Sequence, residues 1–184
     1  MTSNVAALNL NAFLANVERR AYRMALLATR NQAEALDIVQ DAMLKLCRSY
    51  GDQSPEQWPP LFHRILQNQI MDWHRRQQRS QRWFRPWKKA DADATDPAED
   101  DSIEDFADPS EQNPEHLLSR AADVETVIQQ VEQLPIRQQQ AFLLRVWEGL
   151  DVNATAQAME CSEGAVKSHL HRAMRSVRQA LQQE

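Results

Sequence analysis

Apolar residues recur every three or four positions along most of this chain, and the pattern breaks only in its middle. Leu10, Phe13, Leu14, Val17, Ala21, Met24 and Ala28 predict a helix with one buried stripe. A second helix is predicted over about 33–49, with Leu36, Val39, Met43 and Leu46 on one side. Gly51, Asp52, Ser54 and Pro55 end it. A third opens after Pro59-Pro60 and runs through Leu61, Ile65, Gln69 and Trp73. Proline suits a helix start, because the first amides have no helical partner there. The three helices, with room for a fourth, predict one small bundle.

The helical period returns beyond residue 118. Val124, Ile128 and Val131 mark a helix over 119–133 that Leu134-Pro135 ends. Residues 136–148 offer Ala141, Leu144, Val146 and Trp147, with Gly149 as a left-handed cap. A short helix near 153–159 and a turn at Glu160-Cys161-Ser162 follow. Ser162 is placed to cap a long last helix. There Val166, Leu170, Ala173, Met174, Val177, Ala180 and Leu181 fall within about 120° of arc. Lys167, Ser168, His169, His171, Arg172, Arg175 and Arg178 fill the rest. A short helix, a tight turn and a basic second helix predict a helix-turn-helix that presents its second helix to a DNA major groove. A plain antiparallel helical hairpin is the alternative.

Composition narrows the picture. Only 3 of 184 residues are glycine, and they stand apart at 51, 149 and 164, which excludes a Gly-rich phosphate loop. The formal net charge is −5, but it is unevenly spread. Residues 1–89 carry a net +7, residues 90–115 a net −11 with no Lys or Arg, and residues 116–184 a net −1. The dense acid and Pro97, Pro109 and Pro114 make the middle a linker rather than a core. It is either a solubilising tether or a strand that mimics nucleic acid in a basic channel. After Trp73 come His74, Arg75, Arg76, Arg79, Arg82, Arg85, Lys88 and Lys89, interleaved with Trp83, Phe84 and Trp87. Cations for phosphates with aromatics for stacking are the composition of a single-strand binder. The alternative is a solvated helix end with core tryptophans. Cys47 and Cys161 form no CxxC pair, and the five histidines form no triad or metal pattern, so neither a metal nor a cofactor is expected. No secretory leader pattern and no apolar run near the ~20 residues of a membrane helix appear, so a soluble cytoplasmic protein without membrane insertion is expected.

Taken together, the two halves resemble an extracytoplasmic-function sigma factor, a small two-domain initiation factor of bacterial RNA polymerase. The strongest stretches are Leu134-Pro-Ile-Arg-Gln-Gln-Gln-Ala-Phe-Leu-Leu-Arg, Trp147-Glu-Gly-Leu and Gly164-Ala-Val-Lys-Ser-His-Leu-His-Arg-Ala, similar to region 4. Asp37-Ile-Val-Gln-Asp and Leu44-Lys-Leu resemble region 2.2, and Asn68, Asp72, Arg75 and Arg76 the start of the promoter-melting segment. The resemblance implies an all-α protein of two small helical domains, residues 8–88 and 118–184, joined by an acidic flexible linker over 89–117. It implies that Asp37, Gln40, Asp41 and Leu44 meet the β′ clamp helices of core RNA polymerase. Leu134, Phe142 and Trp147 would dock on the β flap. Ser162, Glu163, Lys167, Ser168, His169, His171, Arg172 and Arg175 would face the −35 element of promoter DNA. Asn68, Asp72, Trp73, Arg75, Arg76, Arg79, Arg82 and Trp83 would hold the −10 element. An anti-sigma factor is implied as a partner, and no catalysis by the chain itself. Three departures stand out: Ala154-Thr155-Ala156 where the family usually has Glu-Ile-Ala, Glu160 where it usually has Gly, and Leu61 where it has Trp. A helix-turn-helix regulator that works without a holoenzyme is the second reading, and a helical adaptor that does not bind DNA the third.

Overall fold

The computed structural model describes residues 2–84 and 121–182, with side chains over 9–80 and 124–182. The predicted linker over 89–117 lies outside the described residues. The elements in chain order are α1 (Thr2–Thr29), α2 (Gln32–Tyr50), a 3-10 turn (Pro55–Gln57), α3 (Trp58–Phe84), α4 (Ala121–Gln133), α5 (Ile136–Phe142), a π turn (Leu143–Trp147), α6 (Val152–Met159) and α7 (Glu163–Leu181). Among the described residues every regular element is helical.

The N-terminal half is three helices, α1 against α2 and α2 against α3. Helix α1 ends at Arg30, which is left-handed at φ 53°. Asn31 then starts α2, its side chain accepting from the Ala33 and Glu34 amides at 2.9 and 3.2 Å. The buried stripe of α2 is Ala35, Ile38, Val39, Ala42 and Leu46. Of the expected stripe, Val39 and Leu46 are buried, Met43 is half-buried and Leu36 is 45 % exposed. Small Ala35 and Ala42 take the core-facing positions and the larger Leu36 sits a third of a turn away. Helix α3 starts one residue before the two prolines, at Trp58. Trp58 is fully buried, and its indole N–H donates to the Tyr50 carbonyl at 3.1 Å. Phe13 meets Trp58 and Phe62, each with ring centroids 6.0 Å apart. The missing tryptophan at Leu61 is thus made good three residues earlier, with Leu61 half-buried beside it.

The C-terminal half wraps α4, α5 and α6 around α7. Val127 and Val131 lead the buried face of α4, with Ile128 half-buried and Val124 36 % exposed near its start. The helix expected over 136–148 widens after Phe142 into the π turn, closed by the Glu148 amide donating to the Leu143 carbonyl at 3.0 Å. Gly149 is left-handed at φ 69°, as a terminal cap requires, and the Leu150 amide returns to the Leu144 carbonyl at 3.0 Å. The extra residue of the π turn shifts the phase of the residues beyond it. Glu148 comes out facing α3, beside His63.

The halves pack on each other, α6 on α3 and α4 on α1. The Gln140 amide donates to the Gln67 side-chain oxygen at 2.9 Å, and Gln139 donates to the Leu27 carbonyl at 3.3 Å.

Candidate nucleic-acid and polymerase interfaces

The turn between α6 and α7 is built by two caps and one strained residue. The Asp151 carboxylate accepts from the Ala154 amide at 2.7 Å and starts α6. The Ser162 hydroxyl accepts from the Ala165 amide at 3.1 Å and starts α7. Between them Glu160 adopts φ 52°, ψ 50°. A non-glycine residue there costs roughly 1–2 kcal/mol. The Cys161 amide closes the turn on the Ala156 carbonyl at 3.1 Å. Thr155 is fully buried where the family usually has Ile, and its hydroxyl donates to the Asp151 carbonyl at 2.7 Å. The polar replacement is therefore satisfied.

Helix α7 buries Val166, Leu170, Ala173, Met174 and Val177. Its other side leaves Ser162, Glu163, Lys167 and Arg175 exposed, with Ser168, His169, His171 and Arg172 half-buried. Burial and the neighbouring Arg175, Arg178 and Arg172 hold His171 below its ordinary value, so it is neutral near pH 7. His171 therefore adds little to the positive charge that Lys167, Arg172, Arg175 and Arg178 give this face.

On α3, Asn68, Asp72, Arg75 and Arg79 fall within about 60° of arc at 3.6 residues per turn. Asp72 and Arg75 are exposed and pair at 3.1 Å. Arg76 and Arg79 are also exposed. Trp73 points about 140° away from Asn68 at that spacing. It packs edge-on to His74, with centroids 5.0 Å apart, and lines a cavity of about 540 Å³ with Thr29, Arg30 and Gln139. The expected cluster is thus divided between two faces of one helix. Arg82 and Trp83 lie in the last turn of α3, and their side chains fall outside the described residues.

On α2, Asp37, Gln40, Asp41 and Leu44 are all exposed along one side, with Leu44 49 % exposed. Leu36 joins them, a residue that the hydrophobic pattern assigns to the core. Two solvent-exposed leucines among carboxylates fit a partner surface. The C-terminal apolar set is different. Leu134 and Phe142 are 8 % and 5 % exposed, and only Trp147 reaches the surface, half-buried. Two of the three residues expected to dock on the flap are thus covered in this arrangement of the halves.

Four residues whose roles the sequence does not indicate, His63, Gln67, Gln140 and Glu148, lie at the junction of the halves with Glu160, where contacts span long stretches of chain. Glu148 has a side chain only 3 % exposed, 3.7 Å from His63 and 3.8 Å from Arg20. Burial pushes His63 down to about 4, helped by the Arg20 charge, so His63 is neutral at pH 7 and the contact is no ion pair. Burial raises the Glu148 carboxyl, with Arg20 pulling the other way. His63 Nδ1 and Glu148 Oε1 are buried without a hydrogen bond. Each such group costs about 1–3 kcal/mol. Glu160 accepts from the Asn68 amide at 3.1 Å, beside a cavity of about 250 Å³ that Lys45, Arg75 and Arg137 also line.

Among the described residues no group of three His, Cys, Asp or Glu could hold a metal, and no helix is long and apolar enough to cross a membrane.

Known proteins share both halves. The profile of Sigma-70 region 2 matches residues 11–80, and that of Sigma-70 region 4 matches residues 125–177. The ECF RNA polymerase sigma factor SigM of Mycobacterium tuberculosis is 32 % identical over 162 residues, covering 84 % of this chain and 68 % of that protein. The RNA polymerase sigma-H factor of Pseudomonas aeruginosa is 30 % identical over 152 residues, 81 % of this chain and 74 % of that protein. The sigma factor RpoE of Bartonella quintana, solved in complex with the anti-sigma factor NepR, superposes with a TM-score of 0.57 at 20 % identity. That match covers 97 % of this chain and 95 % of the other, and it shows a shared fold. With capped helices on both sides of the α6–α7 turn and both sigma regions on one chain, the protein belongs to the extracytoplasmic-function sigma factors of RNA polymerase.

Proposed function

We propose that this chain binds core RNA polymerase and directs it to promoters read through −35 and −10 elements. The observation that carries the reading is the pairing on one chain of two unlike faces. One is the exposed acid-and-leucine side of α2, the other the basic side of α7 behind a capped turn. In this reading residues 8–88 form region 2, residues 118–184 region 4, and residues 89–117 the linker. Asp37, Gln40, Asp41 and Leu44 bind the β′ clamp helices, joined by Leu36. Lys167, Arg172 and Arg175 hold −35 phosphates and set register, while Ser168 and His169 reach base edges. Asn68, Asp72, Arg75, Arg76 and Arg79 receive the separated strand of the −10 element. Trp147 alone of the region 4 apolar set serves the β flap. The polymerase performs the chemistry, and the chain acts in the cytoplasm where the polymerase works. The Bartonella relative, solved with an anti-sigma factor, supports such a partner here.

Run-off transcription tests this. Core polymerase and sheared genomic DNA of the source organism are combined with and without the protein, and new 5′ ends are mapped. Protein-dependent starts that share a spaced two-part motif are expected. Sequence-specific duplex binding without core polymerase, and no new starts, would favour the regulator reading instead.

A further inference from the structure

A helix that enters the major groove reads base edges through its N-terminal residues. In α7 those residues offer little to a base pair, save one. The Ser162 hydroxyl is spent on the Ala165 amide at 3.1 Å. Gly164 has no side chain, Ala165 has only a methyl group, and Val166 is buried. Glu163 is exposed, and it is the long polar side chain of this first turn. Packing does not require the glycine beside it. A Cβ at Gly164 would meet the Ser162 Oγ at 3.9 Å and nothing nearer. What glycine provides there is a thin wall that another molecule can approach closely.

The Glu163 carboxylate is held from behind. It accepts from the Asn153 side-chain amide on α6 at 3.3 Å. The Asn153 side-chain oxygen in turn accepts from the Gln157 amide at 2.8 Å. A relay of three side chains thus runs along α6 to the first residue of α7. Neither helix needs it as a cap. The Asp151 carboxylate starts α6 through the Ala154 amide at 2.7 Å, and Ser162 starts α7. All three relay side chains are exposed, and ordering exposed side chains costs rotamer entropy. What that ordering fixes is the direction of the Glu163 carboxylate.

An acid at this place repels phosphates and so works against Lys167, Arg172 and Arg175. Inside a major groove it has one well-matched partner. Guanine N7 and O6 and thymine O4 are all acceptors and repel a carboxylate, and adenine sets its N7 acceptor beside its amine. Cytosine presents the N4 amine, which donates to Glu or Asp. We propose that Glu163 is a specificity-determining residue that accepts from the N4 amine of a cytosine in the −35 duplex, with Asn153 and Gln157 as positioning residues behind it. This deepens the promoter-reading function proposed above and rests on it.

The test uses holoenzyme assembled from core polymerase and the full chain. Its template is a promoter mapped by run-off transcription, made into a library with each −35 base pair randomised. Transcripts are counted by template sequence. The parent should favour cytosine at one −35 position, on either strand, by about fivefold to tenfold. Glu163→Gln keeps the shape but turns the carboxylate into an amide, the partner of adenine N6 and N7. It should move the preference at that position from cytosine to adenine and leave the other positions unchanged. Asn153→Ala should flatten the cytosine preference by about threefold while the other positions keep their ratios, and Gln157→Ala should flatten it less. Thermal melting checks that these variants stay folded. If Glu163→Gln raises output from every sequence alike, Glu163 is only a charge near phosphates, and its reading of cytosine is refuted. If Asn153→Ala lowers output evenly and the cytosine preference survives, the positioning role is refuted. A parent that selects a −35 motif which Glu163→Gln leaves intact overturns this inference alone. A parent that starts at no promoter overturns the initiation role, and this inference with it.

Discussion

The two halves reach similar three-dimensional ends by different means. The N-terminal half is held by large side chains: Trp58, Phe62, Met24, Leu46 and Ile70 are all fully buried, on long helices. The C-terminal half relies on local devices. It has two side-chain caps, a π turn, a left-handed glycine and a left-handed glutamate within residues 143–162. A face carried on a long helix tolerates changes at its ends. A face set by a turn depends on every residue of that turn. The family departures follow this division. Leu61 is absorbed by Trp58 in the first half, whereas Glu160 in the second carries a contact of its own.

The largest expected effect breaks the N-terminal half. Trp58→Ala removes a fully buried ring and its hydrogen bond to the Tyr50 carbonyl, which keeps only the Gln53 amide as donor. It should destabilise that half by about 3–5 kcal/mol, read by urea unfolding. Far-ultraviolet ellipticity retained by α4–α7 would show how far the halves fold separately.

Next is the pH dependence of the junction. His63 lies near 4 in the closed protein against an ordinary 6.5, so the unfolded chain binds the extra proton between these values. Its contribution is fully present above pH 6.5 and is lost as pH falls to about 4, on the order of 3 kcal/mol. Glu148 slopes the opposite way: its raised value makes stability fall as pH rises through it. In Glu148→Gln only the histidine slope remains. Denaturant midpoints of that variant should therefore climb from pH 4 to pH 6.5 more steeply than those of the parent. Equal slopes would show that the two groups are not opposed.

Smaller effects sharpen the contrast between devices. Gly149→Ala forces a side chain into φ 69°, with open space where its Cβ would stand, so backbone strain alone should cost roughly 1–2 kcal/mol. The caps come last. Asn31→Ala and Ser162→Ala should each lose about 1 kcal/mol in thermal melts. Only Ser162→Ala is expected to weaken binding to a −35 duplex, because it alone sits at the turn proposed to read DNA. Equal weakening by Asn31→Ala would place DNA contacts in both halves.

Much of this is legible in residues close together in the chain. The stripe of α7, the Ser162 cap and the left-handed Gly149 are written in local spacing and in residue types that only certain backbones accept. The exposed side of α2 is half legible. Asp37, Gln40 and Asp41 stand out, but Leu36 does not, because hydrophobicity alone cannot tell a core leucine from one left bare for a partner. Leu134 and Phe142 show the reverse case, apolar residues of the same kind that tertiary packing covers.

By itself the sequence determined the helices, their order, the turn chemistry and the division into two unlike halves. Those depend on hydrogen bonds and side-chain phases within a few residues. Tertiary structure alone decided which faces of α3 are free, that Asn68 is taken by Glu160, and that His63 and Glu148 lose their water. Gln67 and Gln140 meet across 73 positions of chain, and no local period records such a meeting. Burial is a property of the assembled junction, and the proton affinities and strained contacts that it brings exist only once the halves have closed.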